Sequence, residues 1–487
     1  MIEHSAMEQL SETTRWMDAT AQHDLFASGD ATATELAAAA IERIERLNPT
    51  LNAVNIAWFE HGLELAAAID AEKPRTPFAG VPFLLKDLHT MYEGQHISQG
   101  NKAMREAHFI ATTDTTLVSR FKNQRFVFLG RSNSPEWGSL PVTEPEAWGP
   151  TRNPWNTNLT AGGSSGGASA AVASGMVPIA HASDGGGSIR VPASCTGLVG
   201  LKVSQGRITV GPSRLETNLG VELAVTRSVR DTAALLDAVH GPGVGDTVIA
   251  PPPARPYVDE LLMSPGKLRI GFASQGFFGN TIHPECTTAV ENTVKILESL
   301  GHSVANEFPQ ALSDSAANAR FTALWATNMA VFRTALADTL GRPVTIDDVE
   351  LVNWTMAEYA SQLSALDYAL AINSAGKFRR DVQQWWVDGW DILVTPTLSA
   401  PPIAIGASTN TTSEPMRPIK IAGEWLGFTA QFNTTGQPAI SLPLHWSSDG
   451  LPIGVQLVAA YGREDVLIRL AAQLEQAIPW AHRTPNI

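Results

Sequence analysis

Residues 161–202 read AGGSSGGASAAVASGMVPIAHASDGGGSIRVPASCTGLVGLK, and the rest of the chain is organised around them. Two Gly/Ser clusters, Gly162–Gly167 and Gly185–Ser188, bracket a segment of small residues. Glycine lets other groups approach the backbone closely and costs chain entropy to order, so such clusters are poor core material. Kept beside apolar segments, they point to chemistry done by exposed N–H groups and serines. Gly167–Ser174 predicts a helix rich in good helix formers, with Ser164 and Ser165 at its N-terminus, where hydroxyls cap free N–H groups. Met176–Ala180 reads as a short buried strand. Gly185, Gly186 and Gly187 precede Ser188 and leave unpaired N–H donors around its Oγ, which is what an oxyanion hole requires. Asp184 and Arg190 flank that cluster and read as a structural ion pair.

Composition sets the class. The 487 residues are 44% hydrophobic and 17% charged, ordinary for a soluble globular protein and enough for a large core. A net charge of −14 disfavours nucleic acid and anionic membrane as partners, since both need a basic footprint. Cys195 and Cys286 are the only cysteines, so there is no disulfide framework and no C-x-x-C metal pattern. The polar, acidic start is not that of a signal peptide, and no apolar run reaches about 18 residues, so a cytoplasmic protein is expected. Several of the 13 tryptophans fall between Trp325 and Trp390; most read as core, but aromatic-rich pockets suit apolar ligands.

Along the chain, residues 1–25 read as a loosely held arm with one short helix. Thr32-x-x-Glu35 is a capping box that opens a helix ended by Asn48-Pro49. Pro82–Leu88, PFLLKDL, reads as a buried strand with Lys86 inside it. On local sequence that lysine either snorkels to water or is buried with a lowered pKa, where it could act as a base; the first is the commoner outcome. Phe126–Gly130 reads as a strand and residues 149–156 as loop. Further strands are expected at Leu268–Phe272, Asp391–Pro396, Ala439–Leu442 and Ile453–Leu457, and helices at Ser228–His240, Thr287–Leu300 and Glu464–Ala477, with residues 310–390 mainly helical. Pro251–Pro256 is the best linker candidate. Alternating helices and strands imply an α/β layer fold.

Gly162-x-Ser164-x-Gly166 formally matches a nucleophile elbow, but the preceding Asn156–Thr160 is too polar for the buried strand an elbow needs, and no histidine stands in a distinctive setting. No Walker sequence, dinucleotide fingerprint or paired-histidine zinc motif is present.

The run GGSSGG, then DGGGSIRVPA, then GLVGLK resembles the amidase signature family, serine amidases with a Ser–cisSer–Lys triad. The resemblance extends to Gly80–Asp87, GPTRNPWN, Thr226–Asp231 and Asp449–Gly454, and weakens between about 305 and 390. It implies an α/β amidase signature fold: one domain over residues 1–487, a large mixed sheet covered by helices on both faces, a signature core at about 80–240 and a variable helical pocket region at about 305–390. It places the nucleophile on Ser188, the bridging serine, preceded by a cis peptide in the family, on Ser164, and the base on Lys86, against the snorkelling reading. Oxyanion donors fall on the N–H groups of Gly185, Gly186, Gly187 and Ser188. No metal or cofactor is implied. The expected partner is a small-molecule amide or carbamate, and a homodimer stays open. Ala182-Ser183, Gly185 and Lys202-Val203-Ser204 depart from the common family pattern, as does Arg131–Trp137. HASDGGGSIR is similar to the run in 6-aminohexanoate cyclic-dimer hydrolase-like members. The implied activity is hydrolysis of bulky, apolar, non-peptide amides. The alternative is the amidase-type component of a tRNA-dependent amidotransferase, which would need a partner chain.

Overall fold

The computed structural model describes residues 2–212, 214 and 219–487. Among them, one 11-stranded sheet runs in the order Val54–Ala57, Val127–Ser132, Pro82–Lys86, Ile179–Asp184, Val221–Thr226, Val199–Lys202, Ala439–Trp446, Pro452–Ala459, Ile392–Pro396, Arg269–Phe272, Ser303–Ala305. The sheet is mixed. Pro82–Lys86 pairs parallel with both neighbours, and antiparallel pairs link Ile179–Asp184 through to Ile392–Pro396. Every residue of Pro82–Lys86, Ile179–Asp184, Val221–Thr226 and Ile392–Pro396 is buried. Successive strand residues point to opposite faces, so both faces of the sheet are covered. A 487-residue chain of this composition therefore forms the expected α/β structure with helices on either side.

Several local expectations shift. The strand read at Met176–Ala180 lies at Ile179–Asp184 and delivers the chain straight into the second glycine cluster. The N-terminal arm is two helices, Ile2–Arg15 and Ala19–Ser28, and it is held. The buried guanidinium of Arg43 donates to Ser11 O at 2.8 Å and Thr14 Oγ1 at 2.9 Å, and Asp231 accepts from Ala19 N at 2.6 Å and from Thr20 Oγ1 at 2.6 Å. The capping box at Thr32 forms, but the helix runs on through Pro49 to Leu51. Proline removes one donor and so weakens one turn, and Asn52 supplies the left-handed C-cap at φ 49°. The stretch 149–156, read as loop, instead opens a small two-stranded ribbon, Arg152–Asn153 with Asn156–Thr160.

Candidate active site

Three adjacent features of the sheet's middle build the site. The first is the C-terminal end of Pro82–Lys86. Flanked on both sides by parallel strands, Lys86 has no route to water and is 0% exposed; the snorkelling reading fails because its strand is central rather than at an edge. Its Nζ donates to Ser164 Oγ at 2.7 Å and to Ser183 Oγ at 2.9 Å. Burial pulls the Lys86 pKa down to about 7, against a smaller upward pull from Glu222 and Asp184. Its backbone N–H donates to His181 Nδ1 at 3.3 Å, and His181 Nε2 meets Glu222 Oε2 at 2.7 Å. Burial alone would raise the Glu222 carboxyl, but Arg214 and His181 hold it near 2.

The second feature is the turn into helix Gly166–Ala173. The Gly163–Ser164 peptide is cis. Ser165 N donates to Ser188 O at 3.3 Å and its Oγ to Ser183 O at 3.2 Å, which ties the two Gly/Ser clusters together.

The third is the loop Asp184–Arg190, which winds around its own carboxylate. Asp184 Oδ1 accepts from Gly187 N at 2.8 Å, and Oδ2 accepts from Ile189 N at 3.1 Å. Arg190 closes a two-pronged pair on both oxygens at 2.9 Å, and its remaining donors go to Thr429 O, Gln456 Oε1 and Asn433 Oδ1. Burial by itself would raise the Asp184 carboxyl; Arg190 overrides it and holds the group well below the ordinary carboxylate range. The ion pair read from sequence is present and completely buried. Arg190→Met strands that carboxylate, and we expect a loss of about 3–5 kcal/mol in denaturant unfolding. Unchanged stability would mean the pair does not hold the loop.

This winding sorts the N–H groups. Gly187 N–H points inward to Asp184 and is not free for an oxyanion, whereas the N–H groups of Gly185, Gly186 and Ser188 donate to no group among the described residues. Gly187 serves the turn instead. Its φ is +138°, and a Cβ there would stand 2.6 Å from Thr429 Oγ1, which itself donates to Gly186 O at 2.7 Å. Ser188 is 8% exposed, and its Oγ makes no hydrogen bond among the described residues, so the Lys86–Ser164 hydrogen bond is formed and a Ser164–Ser188 hydrogen bond is not.

Ser188, Gly186, Gly187 and Gly163 open on a cavity of about 270 Å³. The stacked rings of Phe321 and Trp325, 5.4 Å apart, lie against Gly186 and Gly185, where a Cβ would meet them at 3.2 and 2.9 Å. Met356 and Phe378 extend that wall, but residues 138–141 and 419–434 supply much of the rest, which no motif foretold. Trp385 stacks on Trp390 and meets Trp386 edge to face, in a separate core cluster rather than in the pocket. Sequence reading also missed Ser183, the second Lys86 partner, and His181 beneath it. A hydroxyl one residue before Asp184 was the available signal for Ser183.

The amidase family's sequence profile matches residues 35–468. The chain belongs to the amidase family. It is 42% identical over 488 residues, 98% of each chain, to the 6-aminohexanoate-cyclic-dimer hydrolase of Paenarthrobacter ureafaciens. A solved 6-aminohexanoate cyclic dimer hydrolase superposes with a TM-score of 0.93 over 97% of this chain and 99% of the other, again at 42% identity. The glutamyl-tRNA(Gln) amidotransferase component from Thermotoga maritima is more distant, with 26% identity and a TM-score of 0.72 over 92% of each chain. This amidase is thus an amide-hydrolysing enzyme, and no helix among its described residues is long and apolar enough to cross a membrane. Nor do its described residues hold a His/Cys/Asp/Glu group that could bind a metal ion.

Proposed function

We propose that the amidase cleaves its substrates through a serine acyl-enzyme in which Ser188 is the nucleophile, Ser164 the proton relay and Lys86 the base. The observation that carries this reading is a fully buried lysine, with its pKa pulled down to about 7, hydrogen-bonded to Ser164 Oγ at 2.7 Å. A lysine neutral at working pH accepts a proton; an exposed one at its ordinary pKa does not. Rotation of the unbonded Ser188 hydroxyl toward Ser164 completes the relay, a contact that catalytic sites commonly tighten only around substrate. Ser188 Oγ then attacks the amide carbon as its proton passes to Ser164 and that of Ser164 to Lys86. The N–H groups of Gly185 and Gly186, with that of Ser188, receive the oxyanion; one such donor is typically worth roughly 3–4 kcal/mol. The proton returns through Ser164 to the departing amine, and water cleaves the ester.

The aromatic and aliphatic cavity walls favour bulky, apolar amides: nylon-type oligomers, linear or cyclic, aryl amides and aryl carbamates. The cyclic dimer for which the relatives are named falls in this class. Both cysteines are free and buried, in keeping with a reducing, cytoplasmic setting. The test is the purified chain alone, assayed on an anilide, the 6-aminohexanoate cyclic dimer and an aryl carbamate. Turnover without any partner is the expected result. No turnover alone, with activity only beside a partner chain, would favour the amidotransferase reading instead.

A further inference from the structure

Among the described residues, the cavity at Ser188 has a single formally charged lining residue, Lys420. Apolar side chains such as Leu140, Phe321, Trp325, Met356 and Leu426 make up much of the remainder. Lys420 stands on helix Arg417–Trp425, and its ammonium has no hydrogen bond or ion pair among the described residues; Glu424, one turn on, does not engage it. Lys420 is itself exposed, so its ammonium stands in water at the border of an apolar cavity, in a chain whose net charge is −14.

We propose that Lys420 forms a carboxylate subsite, so that this amidase prefers amides bearing a carboxylate remote from the scissile bond. Lys420 Nζ pairs with the substrate carboxylate while the carbonyl stands at Ser188, and the same charge repels substrates ending in an ammonium. The inference rests on the proposed nucleophile and cavity. The carboxylate can reach the subsite from either half of the substrate: from the leaving amine, as in an N-acylated amino acid, or from the acyl group, as in the monoanilide of a dicarboxylic acid.

The experiment measures kcat/KM for each acid and for its own methyl ester, using N-benzoyl-6-aminohexanoate for the first half and glutaric mono-4-nitroanilide for the second. The acid-to-ester ratio is read within each variant, so a general loss of rate cancels. Wild type is expected to favour the acid by about tenfold for at least one pair, less so as salt is added. Lys420→Gln brings that ratio to about one, and Lys420→Glu reverses it. Whichever pair responds identifies the half that reaches Lys420. Equal ratios in wild type and both variants, with the esters still hydrolysed, overturn the subsite alone. No turnover of any amide by wild type overturns the catalytic reading, and the subsite with it.

Discussion

Ser188→Ala loses at least about five orders of magnitude in kcat on an anilide, because removal of the attacking oxygen leaves nothing for the relay to activate. The substitution deletes one hydroxyl that makes no hydrogen bond among the described residues, so folding is expected to be unaffected. Unchanged unfolding midpoints with activity at background is the combined result to look for. The loop explains why the two separate: its shape is set by hydrogen bonds among Asp184, Arg190, Asn433 and Thr429, none of which involves the Ser188 hydroxyl. Turnover within a factor of ten of wild type would move the nucleophile elsewhere.

Lys86→Ala is the second large effect, a loss of about 10³ to 10⁴ in kcat/KM. Its sign with pH follows from the lowered pKa. The base works only when neutral, so wild-type kcat/KM climbs as pH rises toward about 7 and levels off above it. Lys86→Arg keeps a cation in the same place but cannot shed its proton near neutrality, and is expected to be as inactive as the alanine variant. Ser183→Ala is the graded counterpart. It removes one of the two hydroxyls that hold Nζ, leaves Ser164 in place, and costs about tenfold with the pH limb retained. A flat pH profile for wild type across this range, or an active arginine variant, would take the base role from Lys86.

Much of this site was legible in residues 161–202 because its chemistry depends on backbone, and glycine patterns report backbone directly. The pairing of Asp184 with Arg190 could be read for the same reason, as both lie in one short loop. What escaped was set by distant parts of the chain. PFLLKDL does not reveal that its lysine is sealed between Val127–Ser132 and Ile179–Asp184, so local reasoning favoured water where the sheet allows none. The N-terminal arm looked loose because Ser11, Thr14 and Arg15 are polar; they are buried by partners at Arg43 and at Ser174 O. Tryptophan abundance pointed to residues 325–390, yet of those tryptophans only Trp325 lines the cavity, and the opposite wall comes from residues 419–434, whose sequence has no recognisable pattern. The inward turn of the Gly187 N–H depends on the side chain three residues earlier, which a row of glycines cannot disclose.

The most direct measurement is mass analysis of the enzyme quenched during turnover of a slowly deacylating aryl carbamate. A mass increase equal to the carbamoyl group, mapped to the peptide containing Ser188 and absent from Ser188→Ala, is the predicted result. A modification mapped to any other residue, or phenol and amine released together with no covalent species at any time, would contradict it.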